Sequence, residues 1–164
     1  MPDVVQTGVD GLDSILGGGI VDNATVLISG NPGTGKSLFG INYLYAGVED
    51  HDERGIYISF EENEDDIRMA ADSIGFDRFD EFVDDGEITI YDKRDMLDDG
   101  DFTATMDKLL EEFTDGDYDR LVLDSLTMFQ LFFENEREKR TYLLKFSDIL
   151  KQHGLTSLLI NEQG

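Results

Sequence analysis

Eight consecutive residues, Gly30-Asn31-Pro32-Gly33-Thr34-Gly35-Lys36-Ser37, carry the strongest chemical signal in the sequence. They match G-x-x-x-x-G-K-[ST] in full. The glycines let the backbone curl until successive N–H groups converge on phosphate oxygens. Lys36 adds a compact positive charge for the β and γ phosphates of a nucleoside triphosphate, and Ser37 offers a hydroxyl to Mg²⁺. A helix opening here turns its positive end toward the same anion. The expected ATP cradle is therefore Asn31, Pro32, Gly33, Thr34, Gly35, Lys36, Ser37 and Leu38. A Gly-rich turn holding a chance lysine is the plain alternative. The apolar strand before the motif and the amphipathic helix after it favour the phosphate loop.

Two acidic features complete the chemistry. Leu121-Val122-Leu123-Asp124 places a carboxylate at the C-terminal end of an apolar strand. Open α/β sheets bind ligands outside those ends, so Asp124 is expected to hold Mg²⁺ opposite Ser37, the Walker B role. The other reading of Asp124 is a strand-ending residue that caps a turn with Ser125. Phe60-Glu61-Glu62 follows the second strand on the same edge of the sheet. Hydrolysis needs a group that orients water and accepts its proton, and a carboxylate suits the task. A second carboxylate alongside raises the proton affinity of the first or helps hold the water. Acidic pairs such as Asp84-Asp85 and Asp98-Asp99 recur throughout the chain, so position alone leaves catalysis and plain surface charge both open.

The elements that would hold these groups alternate along the chain. Strands are read at Ala24 to Ser29, Gly55 to Phe60, Glu87 to Tyr91, Arg120 to Asp124 and Leu155 to Ile160. Helical spacing is read from Lys36 to about Val48, through Leu38, Ile41, Leu44 and Tyr45. A second helix is capped by Asn63, runs through Ile67, Ala70, Ala71 and Ile74, and stops at Gly75. A third spans Thr103 to Phe113. A fourth starts near Glu136, turns Leu143, Phe146, Ile149 and Leu150 inward, and ends before Gly154. Strands separated by helices imply parallel pairing with right-handed crossovers, hence a layered α/β sheet.

The 164 residues fit one domain, residues 1–164, with a core of useful size. Acidic residues number 37 against 13 basic ones, giving a net charge of −24, yet 40% of the chain is hydrophobic. The acids are spread over the chain rather than gathered in a tail. That pattern resembles a halophile's surface, where salt screens self-repulsion, and predicts unfolding at low salt. Such a surface repels phosphate backbones and argues against nucleic acid as a direct partner. Without cysteine there is neither a disulfide nor a thiolate metal site. The start of the chain lacks a secretory profile and no apolar run has the length of a membrane span, so a soluble, cytoplasmic protein is expected.

The opening segment Gly8-Val9-Asp10-Gly11-Leu12-Asp13-Ser14-Ile15-Leu16-Gly17-Gly18-Gly19-Ile20 resembles that of RecA/RadA/KaiC-type ATPases. The order of Gly-rich entry, Walker A loop, strand ending in Glu and Walker B Asp-Ser is most similar to the KaiC-like branch common in archaea. The resemblance implies a three-layer RecA-like P-loop core, Mg-ATP binding and hydrolysis, and ring or filament assembly with ATP between subunits. It further implies Glu61 as base with Glu62 assisting, and a γ-phosphate-sensing role at Asn161 or Glu162. Two departures accompany it. The family's core continues past the last strand into further strands bearing basic residues that reach the neighbour's ATP, whereas this chain stops at Gly164. Either the chain is shortened or assembly in trans is impaired. Recombinases also need basic loops after the Walker B strand, where this chain has Leu126-Thr127-Met128-Phe129-Gln130-Leu131-Phe132-Phe133.

That apolar run reads either as the start of a packed helix or as a contact for another subunit or partner. Arg137 and Arg140 either reach a neighbouring nucleotide or pair with Glu134, Glu136 and Glu138. The leading expectation is a KaiC-like ATPase in which hydrolysis drives conformational change or assembly, with a homo-oligomer or a regulatory protein as partner. The alternatives are an ATP-binding signalling or motility switch with little turnover and, against the charge, a DNA recombination ATPase.

Overall fold

The computed structural model describes residues 4–5, 20–21, 24–30, 36–60, 62–92, 102–131, 133 and 135–162. β1 (Val4–Val5) and β2 (Ile20–Val21) form a short antiparallel ladder. Then follow β3 (Thr25–Gly30), α1 (Lys36–His51), β4 (Gly55–Ser59), α2 (Glu64–Ser73), α3 (Phe79–Asp84) and β5 (Ile88–Tyr91). The described elements end with α4 (Phe102–Asp115), β6 (Arg120–Asp124), α5 (Leu126–Leu131), α6 (Glu136–Gln152) and β7 (Thr156–Glu162).

Five strands pair in the order β3-β7-β6-β4-β5, every pair parallel. This is the α/β sheet that the alternation of strands and helices predicts. β7 inserts between β3 and β6, so the ends of the phosphate-loop strand and of the Asp124 strand stand on either side of it.

Strand parity builds the three layers. On β4 and β6, Tyr57 and Val122 pack with Ile41, Tyr43 and Leu44 of α1, Ile67 of α2, and Phe79 and Phe82 of α3. Their neighbours Ile56, Ile58, Leu121 and Leu123 face the other way, onto Leu109 and Leu110 of α4 and Tyr142, Phe146 and Leu150 of α6. Covered on both faces, β4 and β6 are buried at every position, which is why they read as unbroken apolar runs.

Helix α1 approaches the sheet closely because two of its residues lack a side chain. A Cβ at Gly40 would lie 2.8 Å from Val122 Cγ1, and one at Gly47 would lie 2.6 Å from Arg120 Cδ. The two glycines are seven residues apart, on one helical face, both above β6. Arg120 lies beneath that face, almost wholly buried, donating from Nε to Glu53 Oε1 at 2.9 Å and from Nη1 to the Tyr43 carbonyl at 2.8 Å.

Helix boundaries follow local chemistry. The Asn63 side chain accepts a hydrogen bond from Asp66 N–H and caps α2; Asn135 does the same for α6 through Glu138 N–H. Gly75 and Gly154 adopt φ of +87° and +69° just past these helices, the left-handed step expected after a helix end. Ile74, read as the last residue of the helix before Gly75, is its C-cap and 40% exposed. Helix α3 and the inward positions of Tyr43 and Tyr142 were not predicted from the sequence. Of the apolar run after Asp124, Phe133 is buried and stacks on Tyr142, while Leu131 is exposed on α5. Phe132 lies outside the described residues.

Candidate functional site

The parallel register sets the C-terminal ends of the strands in one row. Ser59 of β4 is level with Asp124 of β6, Asp124 with Ile160 of β7, and Gly30 of β3 with Glu162. Asp124 shares strand parity with Val122, so its side chain leaves the sheet on the face that α1 covers. Ser37, in the first turn of α1, meets it there and donates from Oγ to Asp124 Oδ2 at 2.6 Å. The two residues assigned to the metal from sequence are therefore in direct contact. Asp124 is 2% exposed.

The same carboxylate oxygen accepts a second hydrogen bond, 2.8 Å from the hydroxyl of Tyr57. Tyr57 is fully buried in the core under α1. Burial above all, then the charge of Asp124, pushes its phenol well above the ordinary tyrosine range, so it stays a donor. Reading the sequence missed this residue because a tyrosine inside an apolar strand counts as core. The available signal was parity: positions 57 and 59 share a face with each other and, through the register, with Asp124.

The acidic segment after β4 is tied to the same strand ends. Glu62 N–H donates to Ser59 Oγ at 3.0 Å, and Phe60 N–H to the Asp124 carbonyl at 2.8 Å. Two residues on, Glu64 N–H donates to Asp92 Oδ2 at 2.8 Å, so a buried carboxylate from the end of β5 helps fix the start of α2. Glu62 is half-buried. Its carboxyl is pushed above the usual range first by burial, then by the charges of Asp124 and Asp66. Neither Ser59 nor Asp92 was marked by its sequence neighbourhood.

Lys36 opens α1 and Leu38 stands partly exposed in its first turn. Asn31, Pro32, Gly33, Thr34, Gly35 and Glu61 lie outside the described residues. Asn161 lies one position past the row and accepts a hydrogen bond from Thr127 Oγ1 at 2.6 Å, which links the end of β7 to α5. The Glu162 backbone continues β7. Arg137 and Arg140 belong to the first turns of α6, where among the described residues Lys139 pairs with Glu136 at 3.3 Å; Glu134 lies outside them. No helix among the described residues is long and apolar enough to cross a membrane.

The donor set fits magnesium. A hydroxyl and one carboxylate, both hard oxygen donors, meet at the N-terminus of α1. No group of three or more His, Cys, Asp or Glu able to hold a metal occurs among the described residues. Mg²⁺ does not require one, since it commonly uses one or two carboxylates and completes its shell with water and substrate phosphates.

Comparison with known proteins identifies the family. A family profile described as ATPase: KaiC matches residues 5–164. The circadian clock oscillator protein KaiC of Acaryochloris marina is 30% identical over 165 residues, 97% of this chain and 31% of that protein. UPF0273 proteins of Methanopyrus kandleri and Pyrococcus furiosus are 28% and 32% identical and are covered over 66% and 68% of their lengths. The chain thus spans a minor part of the clock protein and about two thirds of these archaeal relatives. The crystal structure of a KaiC-like protein from Pyrococcus horikoshii matches with a TM-score of 0.84 and 31% identity, across 99% of this chain and 72% of that one. With a profile match running from residue 5 to residue 164 and this structural likeness beside it, the chain belongs to the KaiC family of ATPases.

Proposed function

We propose that residues 1–164 form one ATPase domain that binds Mg-ATP and hydrolyses it to drive a change of conformation or assembly. The observation that carries this reading is the 2.6 Å contact between Ser37 and Asp124. It unites the helix that starts at the phosphate loop with a carboxylate from a strand two positions away across the sheet. In this reading Asn31 to Leu38 cradle the triphosphate, with Lys36 beside the β and γ phosphates. Ser37 and Asp124 would hold Mg²⁺, which would supply charge neutralisation for the triphosphate. Glu61 orients the attacking water and accepts its proton. Glu62, whose proton affinity is raised by burial and by Asp124, assists it. Copies of the chain assemble around the nucleotide as a ring or filament, in the cytoplasm where ATP is supplied.

The test measures ATP affinity, phosphate release and sedimentation on the same high-salt sample, with and without Mg²⁺. Glu61→Gln is expected to abolish release while preserving affinity, and Lys36→Ala to weaken both. Normal hydrolysis by Glu61→Gln overturns the assignment of the base. Tight binding by the wild type without release replaces turnover with a nucleotide-driven switch.

A further inference from the structure

We infer that Tyr57 is a positioning residue for Asp124: its buried hydroxyl fixes the carboxylate that holds Mg²⁺ and thereby sets the metal affinity of the nucleotide complex. The inference rests on the nucleotide reading above and adds to it a residue from the sheet interior. Tyr57 is level with Val122 in the register, one full strand repeat below Asp124. Its ring packs under α1 beside Gly40, where an added Cβ would stand in ordinary contact, 3.4 Å from Tyr57 Cε2. The hydroxyl reaches up from that position to Asp124 Oδ2.

Two hydroxyls therefore converge on one oxygen, from two different elements. Their duties differ. The Ser37 oxygen is itself to be drawn to the metal, so its geometry depends on loading. Tyr57 is anchored in the core and wholly shielded from solvent, so its bond can hold the carboxylate in one rotamer throughout. A phenylalanine would fill the same space. The hydroxyl adds nothing to packing, and burying it is costly unless it finds a partner. Its partner is Asp124, the buried carboxylate at the end of β6. Groups that orient a ligating side chain typically change metal affinity by about 10- to 100-fold when removed.

Tyr57→Phe keeps the ring and removes only the donor. The experiment titrates free Mg²⁺ against a fluorescent ADP analogue bound to wild type and variant, with melting recorded in metal-free buffer. The Mg²⁺ midpoint of Tyr57→Phe is expected to rise about tenfold, with analogue affinity in chelator unchanged. In an Asp124→Asn background the same change should move the midpoint less than about twofold, since the group it acts through has lost its charge. An unchanged midpoint overturns the inference. So does an equal shift in the Asp124→Asn background, or a variant that fails to fold in both backgrounds; either would make the role structural. A wild type whose nucleotide binding ignores Mg²⁺ overturns the nucleotide reading itself, and that result is visible before any variant is made.

Discussion

Gly47→Ala is expected to destabilise the protein although it replaces a helix-interior glycine with the best helix former. The added Cβ would lie 2.6 Å from both Cδ and Nε of Arg120 and 3.1 Å from Cζ. Ordinary carbon contacts begin near ~3.5 Å, so the arginine must retreat by about 1 Å. It has nowhere to go without loss. Nε is 2.9 Å from Glu53 Oε1, Nη1 is 2.8 Å from the Tyr43 carbonyl, and the guanidinium lies 4.6 Å from the Tyr43 ring centroid. Pulling the buried Arg120 guanidinium away from the half-buried Glu53 and the Tyr43 carbonyl costs about 3–5 kcal/mol, against about 1 kcal/mol gained in helix propensity. The net loss is about 2–4 kcal/mol, or about 5–15 °C in Tm for a chain of this size. Circular dichroism melting at one fixed high salt concentration measures it. Arg120 and Asp124 stand at opposite ends of β6, about 13 Å apart, so nucleotide affinity well below Tm should be unchanged. A variant that melts with or above the wild type would refute the claim that Arg120 is fixed in place.

Glu62→Gln should raise the melting temperature of the metal-free protein at neutral pH. The Glu62 carboxyl titrates higher in the folded protein than in the unfolded chain, so the folded state holds its proton more tightly. Stability lost to its ionisation is therefore absent below the ordinary glutamate value of ~4.3 and grows as pH rises toward the raised folded value. The advantage of the glutamine variant should fade as pH falls to about 4; a difference independent of pH would contradict it. The net charge of −24 leads to the remaining expectation, that melting temperature climbs with salt concentration and the fold is lost in dilute buffer. Arg68 shows the local form of this charge excess, facing Glu64, Asp80 and Asp84 at 3.0–3.2 Å. A melting temperature indifferent to salt would remove the halophilic reading.

Much of the architecture was legible because it is written in local pattern. The central strands β4 and β6 carry apolar runs between their end residues, the helices carry spaced apolar residues, and Asn63, Gly75 and Gly154 mark boundaries by their own backbone chemistry. Helix α3 escaped because six residues give under two turns of periodicity, and its two buried phenylalanines are separated by acids. Arg120 read as a strand's polar first residue. Its burial depends on Gly47 and Glu53, 67 or more positions away, and no local pattern reports such a partnership. The strand order, with β7 between β3 and β6, is likewise a long-range fact.

The candidate site divides along the same line. Ser37 and Asp124 could be set opposite each other because each belongs to a short motif at the end of a strand, and the structure brings them together. The tyrosine behind the carboxylate could not be read. The two hydroxyls at Asp124 Oδ2 come from residues 87 and 67 positions earlier in the chain. A carboxylate whose only duty was to cap the next turn would draw its donors from that turn, and would gain nothing from a tyrosine in the middle of the sheet. A carboxylate that must be presented to a ligand beyond the strand ends needs fixed donors behind it. Asp124 has that arrangement, with the apolar interior of β4 and β6 below it, α1 beside it, and the loop to α2 tied through Phe60 and Glu62 to the same row. The interior of the sheet thus supplies more than rigidity: through Tyr57 it reaches the group on which the proposed chemistry depends.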